Sequence, residues 1–109
     1  MFERGDIVAV NFPYTDGNQS KERPAVVISN TQIAETGDIV IVMISSKNRT
    51  DNTSVELTAN LITHPMPRTS FVRCHRLFTV TDKLLLAKYS SVNAEGMKQI
   101  LGTVVSIIS

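Results

Sequence analysis

From Gly5 to Asn30 the chain reads GDIVAVNFPYTDGNQSKERPAVVISN, two apolar β-patterns separated by one polar stretch. The first, Ile7 to Phe12, alternates with period two. Ile7, Ala9 and Asn11 point one way, and Val8, Val10 and Phe12 the other, as a strand with two distinct faces requires. The second runs from Pro24 to Ser29. Between them, Tyr14-Thr15-Asp16-Gly17-Asn18 is a turn cluster, because glycine and asparagine accept positive φ and aspartate bonds its own backbone. Two strands flanking a polar loop are expected, with Arg23 set against the start of the second strand at the edge of the sheet.

The pattern repeats further on. Ile39 to Ile44 is an unbroken apolar run rich in β-branched residues, bounded by Gly37-Asp38 and Ser45-Ser46; its length and composition predict a strand covered on both faces. Val55 to Thr58, Ser70 to Val80 and Leu84 to Tyr89 supply further strands. Polar loops fall at Lys47 to Thr53 and at Asn60 to Thr69, the latter with Pro65 and Pro67. Short strands at this spacing point to a small, strongly bent antiparallel sheet or barrel. The period changes after Asn93, a good N-cap with Glu95 in the first turn. Met97, Ile100, Leu101, Val104, Val105 and Ile108 then recur at helical spacing, so a C-terminal helix packed on the sheet is expected. Gly96 and Gly102 each weaken it by roughly 1 kcal/mol relative to alanine. The class is α+β, with one domain over residues 1–109.

A chain of 109 residues with 42% hydrophobic and 19% charged residues is long enough for a core without staples. The formal net charge is only +1, which neither demands nor excludes a polyanionic partner. The local pattern says more. No acidic residue lies between Glu56 and Asp82, whereas His64, Arg68, Arg73, His75 and Arg76 all do, as expected for a local anion site. The single cysteine, Cys74, suits a reducing compartment, and neither the N-terminus nor TVVSIIS reads as a leader or a span. A soluble cytoplasmic protein with no membrane contact is expected.

Metal and nucleotide chemistry find no motif. CxxC, HExxH, the P-loop and GxGxxG are all missing, and neither histidine accompanies a nucleophile elbow. What remains are arginines, hydroxyls and histidines, the groups suited to cofactor-free cleavage of RNA. There the 2′-hydroxyl is the nucleophile, and the protein aligns it, stabilises the phosphoryl charge and moves two protons. Arginine suits the charge because it stays cationic and binds two oxygens in a fork.

Three ordered blocks, GDIVAVNFP, ERPAVVIS and the ISS of Ile44 to Ser46, resemble the MazF/PemK family of toxin ribonucleases, over nearly the whole chain. The resemblance implies a small SH3-like antiparallel β-barrel with a C-terminal α-helix. It also implies metal-independent, sequence-selective cleavage of single-stranded mRNA to 2′,3′-cyclic phosphate and 5′-hydroxyl ends. The partners implied are single-stranded RNA, a cognate acidic antitoxin and a second copy in a homodimer; no cofactor is. Arg23 matches the arginine that contacts the scissile phosphate, and Ser45 the hydroxyl of the triplet, usually threonine. Ser46 competes with Ser45 for that role. Val72-Arg73-Cys74-His75-Arg76 resembles a V-R-C-D-Q stretch of the PemK-like branch, in which the arginine is proton donor and phosphate clamp and the aspartate is base. Arg73 carries over; His75 stands where the aspartate would be. By strand alternation the two share a face, and histidine, with an ordinary pKa of about 6.5, is a sensible base. Tyr14, Lys21, Ser46, Lys47, Arg49 and Arg76 are the expected RNA-binding residues, Tyr14 by stacking on a base.

The residues by themselves leave blander readings open. Arg23 would be a surface charge, Ser45 a strand-end hydroxyl tied to backbone, and His75 a solvated strand residue. A non-catalytic barrel that holds RNA or an antitoxin is the alternative function.

Overall fold

The computed structural model describes residues 2–13, 20–47 and 51–109. The turn cluster at Tyr14 to Asn18, and with it Tyr14 and Arg49, lies outside the described residues. Six strands form one antiparallel sheet: β1 (Asp6–Pro13), β2 (Ser20–Val27), β3 (Asp38–Ser45), β4 (Ser54–Glu56), β5 (Phe71–Thr81) and β6 (Leu85–Ser91), in the order β4-β5-β3-β2-β1-β6. Between β2 and β3 sits a one-turn helix, α1 (Thr31–Ala34), whose N-cap Asn30 accepts from the backbone of Gln32 and Ile33. The C-terminal helix is α2 (Ala94–Ile108).

Alternation along the strands builds two cores, one on each face. Ile7, Val26, Val42, Ile44, Val72 and Cys74 pack with Met97, Ile100 and Val104 of α2. Val8, Val10, Ala25, Val27, Ile39, Ile41 and Val80 pack on the other face, with Phe12 and Met43 at its margin. β3 contributes to both cores, so the expectation of a strand covered on both faces holds. The second face is concave. Phe12 on β1 and Phe78 on β5 meet edge-to-face with centroids 5.2 Å apart, although three strand spacings, about 14 Å in a flat sheet, separate their strands. Only strong bending brings them together.

The α+β class, a bent antiparallel sheet with a C-terminal helix, is as expected, although the sheet is not fully closed. β4 has three residues, too few to carry a ladder round to β6. The seam is instead held by the chain that follows β4. Ile62 bridges Val92, Thr63 N–H donates to Ser91 O at 2.9 Å, and Asn93 N–H donates to Leu61 O at 2.8 Å. Buried Ser90 Oγ accepts from His64 N at 3.0 Å and donates to His64 O at 2.8 Å. His64 is thus held by its backbone, as a structural residue.

Gly5 anchors the same end of the sheet. Its φ of +97° is open to glycine and strained for other residues. In that conformation its N–H donates to Val27 O at 2.8 Å and its C=O accepts from Val92 N at 2.7 Å, tying β2 to the start of α2. Next to it, buried Asp6 pairs with Lys88 of β6 at 3.1 Å and accepts from Glu3 N at 2.8 Å. The opening Gly-Asp is therefore architectural.

Asn93 caps α2 by accepting from Gly96 N at 2.9 Å, while its amide donates to Asn60 O at 2.7 Å. Met97, Ile100 and Val104 are buried, with Ile100 at 0% exposure, a burial that stabilises by about 1.5–3 kcal/mol. The apolar stripe is narrower than its spacing suggests: Val105 and Ile108 are 58% and 71% exposed. Among the described residues no helix is long and apolar enough to cross a membrane.

Candidate active site

β2 and β3 carry the first two functional candidates. Arg23 pairs with Val10 of β1 and has the parity of Ala25 and Val27, so it belongs to the concave face, where it is exposed. Ser45 has the parity of Ile39, Ile41 and Met43, hence the same face, and is half-buried. The β2–β3 ladder runs from Val27–Ile41 to Ala25–Met43. The ladder ends there; the same register carried on by two residues would set Arg23 opposite Ser45. Pro24, which lacks an N–H and cannot donate to a ladder, falls where the pairing ends. A guanidinium and a hydroxyl thus stand at one end of one face, on adjacent strands.

The Ser45 hydroxyl is oriented locally. Its Oγ accepts from Lys47 N–H at 3.1 Å, an ST-turn that stops β3. The oxygen being used as acceptor, the hydroxyl proton is left to donate outward. Ser46 and Lys47 follow immediately and are exposed, as is Lys21, which pairs with Phe12 on the same face.

β5 flanks β3 on the other side. Val72 and Cys74 pack into the α2 core, so Arg73 between them points to the concave face, and Ser45 pairs with Phe71 just before it. Arg73 is 8% exposed. Its Nη2 lies 3.7 Å from Asp51 Oδ2, and its buried Nε–H has no hydrogen-bond partner among the described residues. An unmet buried donor costs roughly 1–3 kcal/mol and marks a place where an acceptor is missing. Asp51 is fixed independently: its Oδ1 accepts from Thr53 N at 3.0 Å, Thr53 Oγ1 at 2.6 Å and Ser54 Oγ at 3.3 Å. Those hydrogen bonds from Thr53, then that from Ser54 and the Arg73 charge, hold its carboxyl below the usual carboxylate range.

His75 and Arg76 lie elsewhere in the local geometry. The β3–β5 register passes from Val42–Leu77 to Ile44–Val72, so β5 carries extra residues opposite Met43. Cys74 and Leu77, three apart, both pack toward the α2 core, which is impossible under strict alternation. A bulge absorbs the slip, leaving His75 and Arg76 exposed on it while Arg73 is buried. The register slips across this stretch, so strict alternation does not by itself set His75 on the face of Arg73.

Cys74 is fully buried, and burial pushes its thiol up to about 11. Cavities of about 350 Å³, by Phe2, Arg4 and Asn30, and about 280 Å³, by Leu57, Met66 and Arg68, are lined by none of Arg23, Ser45 and Arg73. Among the described residues no cluster of three or more His, Cys, Asp or Glu side chains is placed to hold a metal ion. Asp51 is the residue that sequence reasoning passed over. Its Asp-Asn-Thr-Ser turn was legible, but its approach to Arg73 depends on the β4–β5 register that pairs Ser54 with Arg73.

Residues 3–108 match the model of a family described as PemK-like, MazF-like toxin of type II toxin–antitoxin system. Among solved structures, a mycobacterial endoribonuclease in complex with its cognate antitoxin is similar, with a TM-score of 0.81 at 20% identity over 99% of this chain and 95% of that one. MazE–MazF from Deinococcus radiodurans has a TM-score of 0.81 at 19% identity, over 98% and 95% of the two chains. Mycobacterium tuberculosis toxin MazF-mt6 has a TM-score of 0.76 at 14% identity, over 94% and 95%. No curated protein matches the chain. At these identities the structural likeness establishes the fold.

Proposed function

The chain belongs to the PemK-like, MazF-like toxin family of type II toxin–antitoxin systems, and we propose from that premise that it is a metal-independent endoribonuclease toxin. Its substrate is single-stranded mRNA, whose unstacked bases are open to readout. The 2′-hydroxyl attacks the adjacent phosphorus, the bond to the 5′-oxygen breaks, and a 2′,3′-cyclic phosphate and a 5′-hydroxyl remain. Arg23 binds the phosphoryl oxygens and Ser45 donates its hydroxyl proton to one of them. Arg73 clamps the phosphate from the β5 side and is proton donor to the departing oxygen. His75, on the bulge, is the general base. Lys21, Ser46, Lys47 and Arg76, with Tyr14 and Arg49 from the two loops, hold the flanking nucleotides.

This reading is supported most by the parity that puts Arg23 and Ser45 on the concave face of adjacent strands, toward the same end, with Arg73 one strand further on. Preorganised donors of this kind each contribute roughly 2.7–4 kcal/mol to transition-state stabilisation. An acidic antitoxin segment laid over the same basic residues would neutralise the toxin by blocking RNA. A homodimer in the cytoplasm completes the proposal, and the exposed apolar end of α2 at Val105, Ile107 and Ile108 is compatible with pairing.

End-labelled single-stranded RNA incubated with the protein in excess chelator tests this. Cleavage that persists and leaves cyclic phosphate ends is expected, with Arg23→Ala and Ser45→Ala each slowing it by about 10²–10³-fold. An oligonucleotide lacking the 2′-hydroxyl at the cut site should bind and survive. Binding of RNA with no cleavage at any protein concentration would overturn the enzyme in favour of a binding barrel.

A further inference from the structure

Arg73, which the proposed cleavage uses, stands beside Asp51, to which that mechanism gives no part. The Arg73 side chain is nine-tenths buried; among the described residues its Nε–H meets no acceptor, and Asp51 Oδ2 lies 3.7 Å from its Nη2. That separation exceeds a hydrogen bond, so no fork forms. Asp51 is not placed there by Arg73 either. Its other oxygen accepts from Thr53 N, Thr53 Oγ1 and Ser54 Oγ, and these bonds fix the carboxylate at the lip of the site. Its side chain is 43% exposed, so solvent reaches the pair from the Asp51 side.

We propose that Asp51 is a resident competitor for the anion site on Arg73: a fixed carboxylate that an incoming backbone phosphate must displace electrostatically to engage the guanidinium. This rests on the reading of Arg73 as a phosphate clamp, and deepens it by naming what occupies the approach in the free protein. A phosphodiester oxygen, not anchored in that turn, can come closer to the outer guanidinium nitrogens than the 3.7 Å at which Asp51 is held. The carboxylate then lies beside a second negative charge, which weakens phosphate binding and favours ligands that bring several phosphates at once. The alternative role for Asp51, a general base standing in for the aspartate absent at position 75, is disfavoured. Three hydrogen bonds to one carboxylate oxygen stabilise the charged form and lower its basicity.

Asp51→Asn is the discriminating variant, because its amide oxygen still accepts from Thr53 and Ser54 while the charge is gone. The readout is the side-chain Nε–H resonance of Arg73, assigned by its loss in Arg73→Lys and titrated with inorganic phosphate at constant low ionic strength. A saturable shift is expected, with half-saturation in Asp51→Asn at about two- to fivefold lower phosphate than in the unsubstituted protein, the range for an exposed charge pair. The difference should shrink in high salt. Equal midpoints, weaker binding in Asp51→Asn, or a resonance that phosphate does not move would each overturn the proposal. A parallel titration with single-stranded RNA carrying 2′-deoxy substitutions separates it from the nuclease reading. If phosphate tightens on Asp51→Asn while neither protein binds RNA, the competitor stands and the nuclease reading falls. Loss of cleavage in Asp51→Asn with unchanged phosphate affinity would assign Asp51 as the base instead.

Discussion

Alanine at Gly96 and alanine at Gly102 are predicted to move stability in opposite directions, although both replace a glycine within α2. Propensity alone makes each exchange favourable by up to about 1 kcal/mol. The surroundings differ. A Cβ at Gly102 meets nothing within 4 Å, so that variant keeps the full gain. A Cβ at Gly96 collides with Val92 Cγ1 and comes within 3.3 Å of Leu61 Cβ. Val92 is 7% exposed and β-branched, so its methyl cannot swing aside without entering the core. Overpacking of this kind costs about 1–3 kcal/mol, which offsets the propensity gain and leaves Gly96→Ala destabilised by up to about 2 kcal/mol. Val92 and Leu61 also flank the seam that joins the chain after β4 to β6. The strain therefore falls where the sheet is held together. In thermal unfolding at matched protein concentration the two variants should lie on opposite sides of the parent, separated by roughly 10 °C for a domain of this size. If both raise the midpoint, the packing of α2 on the seam is wrong.

Three further outcomes follow from the geometry. Cys74 should resist alkylation at pH 8 in the native state and react once unfolded. Because its folded pKa, about 11, exceeds the ordinary value of 9.0, the neutral thiol's contribution is complete below pH 9 and lost as pH rises toward 11, at most about 3 kcal/mol; denaturant titrations of the parent and Cys74→Ala across that window measure it. Ser45→Thr should cleave RNA at least as fast as the parent, since it keeps the hydroxyl and restricts its rotamers, while Ser45→Ala should not, in a single-turnover comparison. His75→Ala should slow cleavage by about 10²–10⁴-fold and change its pH profile; if His75→Ala and His75→Asp both leave rate and profile unaltered, the base lies elsewhere.

How far the structure was legible depends on what each segment needs in order to form. Strands whose apolar residues alternate or run unbroken, Ile7 to Phe12 and Ile39 to Ile44, appear within a residue or two of their expected bounds. Asn93 announced α2 because its cap chemistry is local. β2 was foreshortened: Ser20 to Arg23 are polar, and they become strand because β1 offers partners for them from Val10 to Pro13. α1 went unseen, since four residues with none buried leave no periodicity to detect. Arg23 and Ser45 could be nominated from their motif blocks, but their common face follows only from the β2–β3 register. The bulge at His75 and the approach of Asp51 to Arg73 were invisible for the same reason: both depend on how β5 pairs with β3 and β4, a contact between segments far apart in the chain.

A double-mutant cycle on RNA cleavage tests most directly whether Arg23 and Ser45 act on one phosphate. Single-turnover rates for the parent, Arg23→Ala, Ser45→Ala and the double variant supply the four corners. If both groups address the same phosphoryl oxygens, the double variant should lose little more than the worse single variant, a coupling of about 0.5–3 kcal/mol. Losses that simply multiply would mean that the arginine and the hydroxyl serve separate parts of the RNA, and the site built on their register would have to be abandoned.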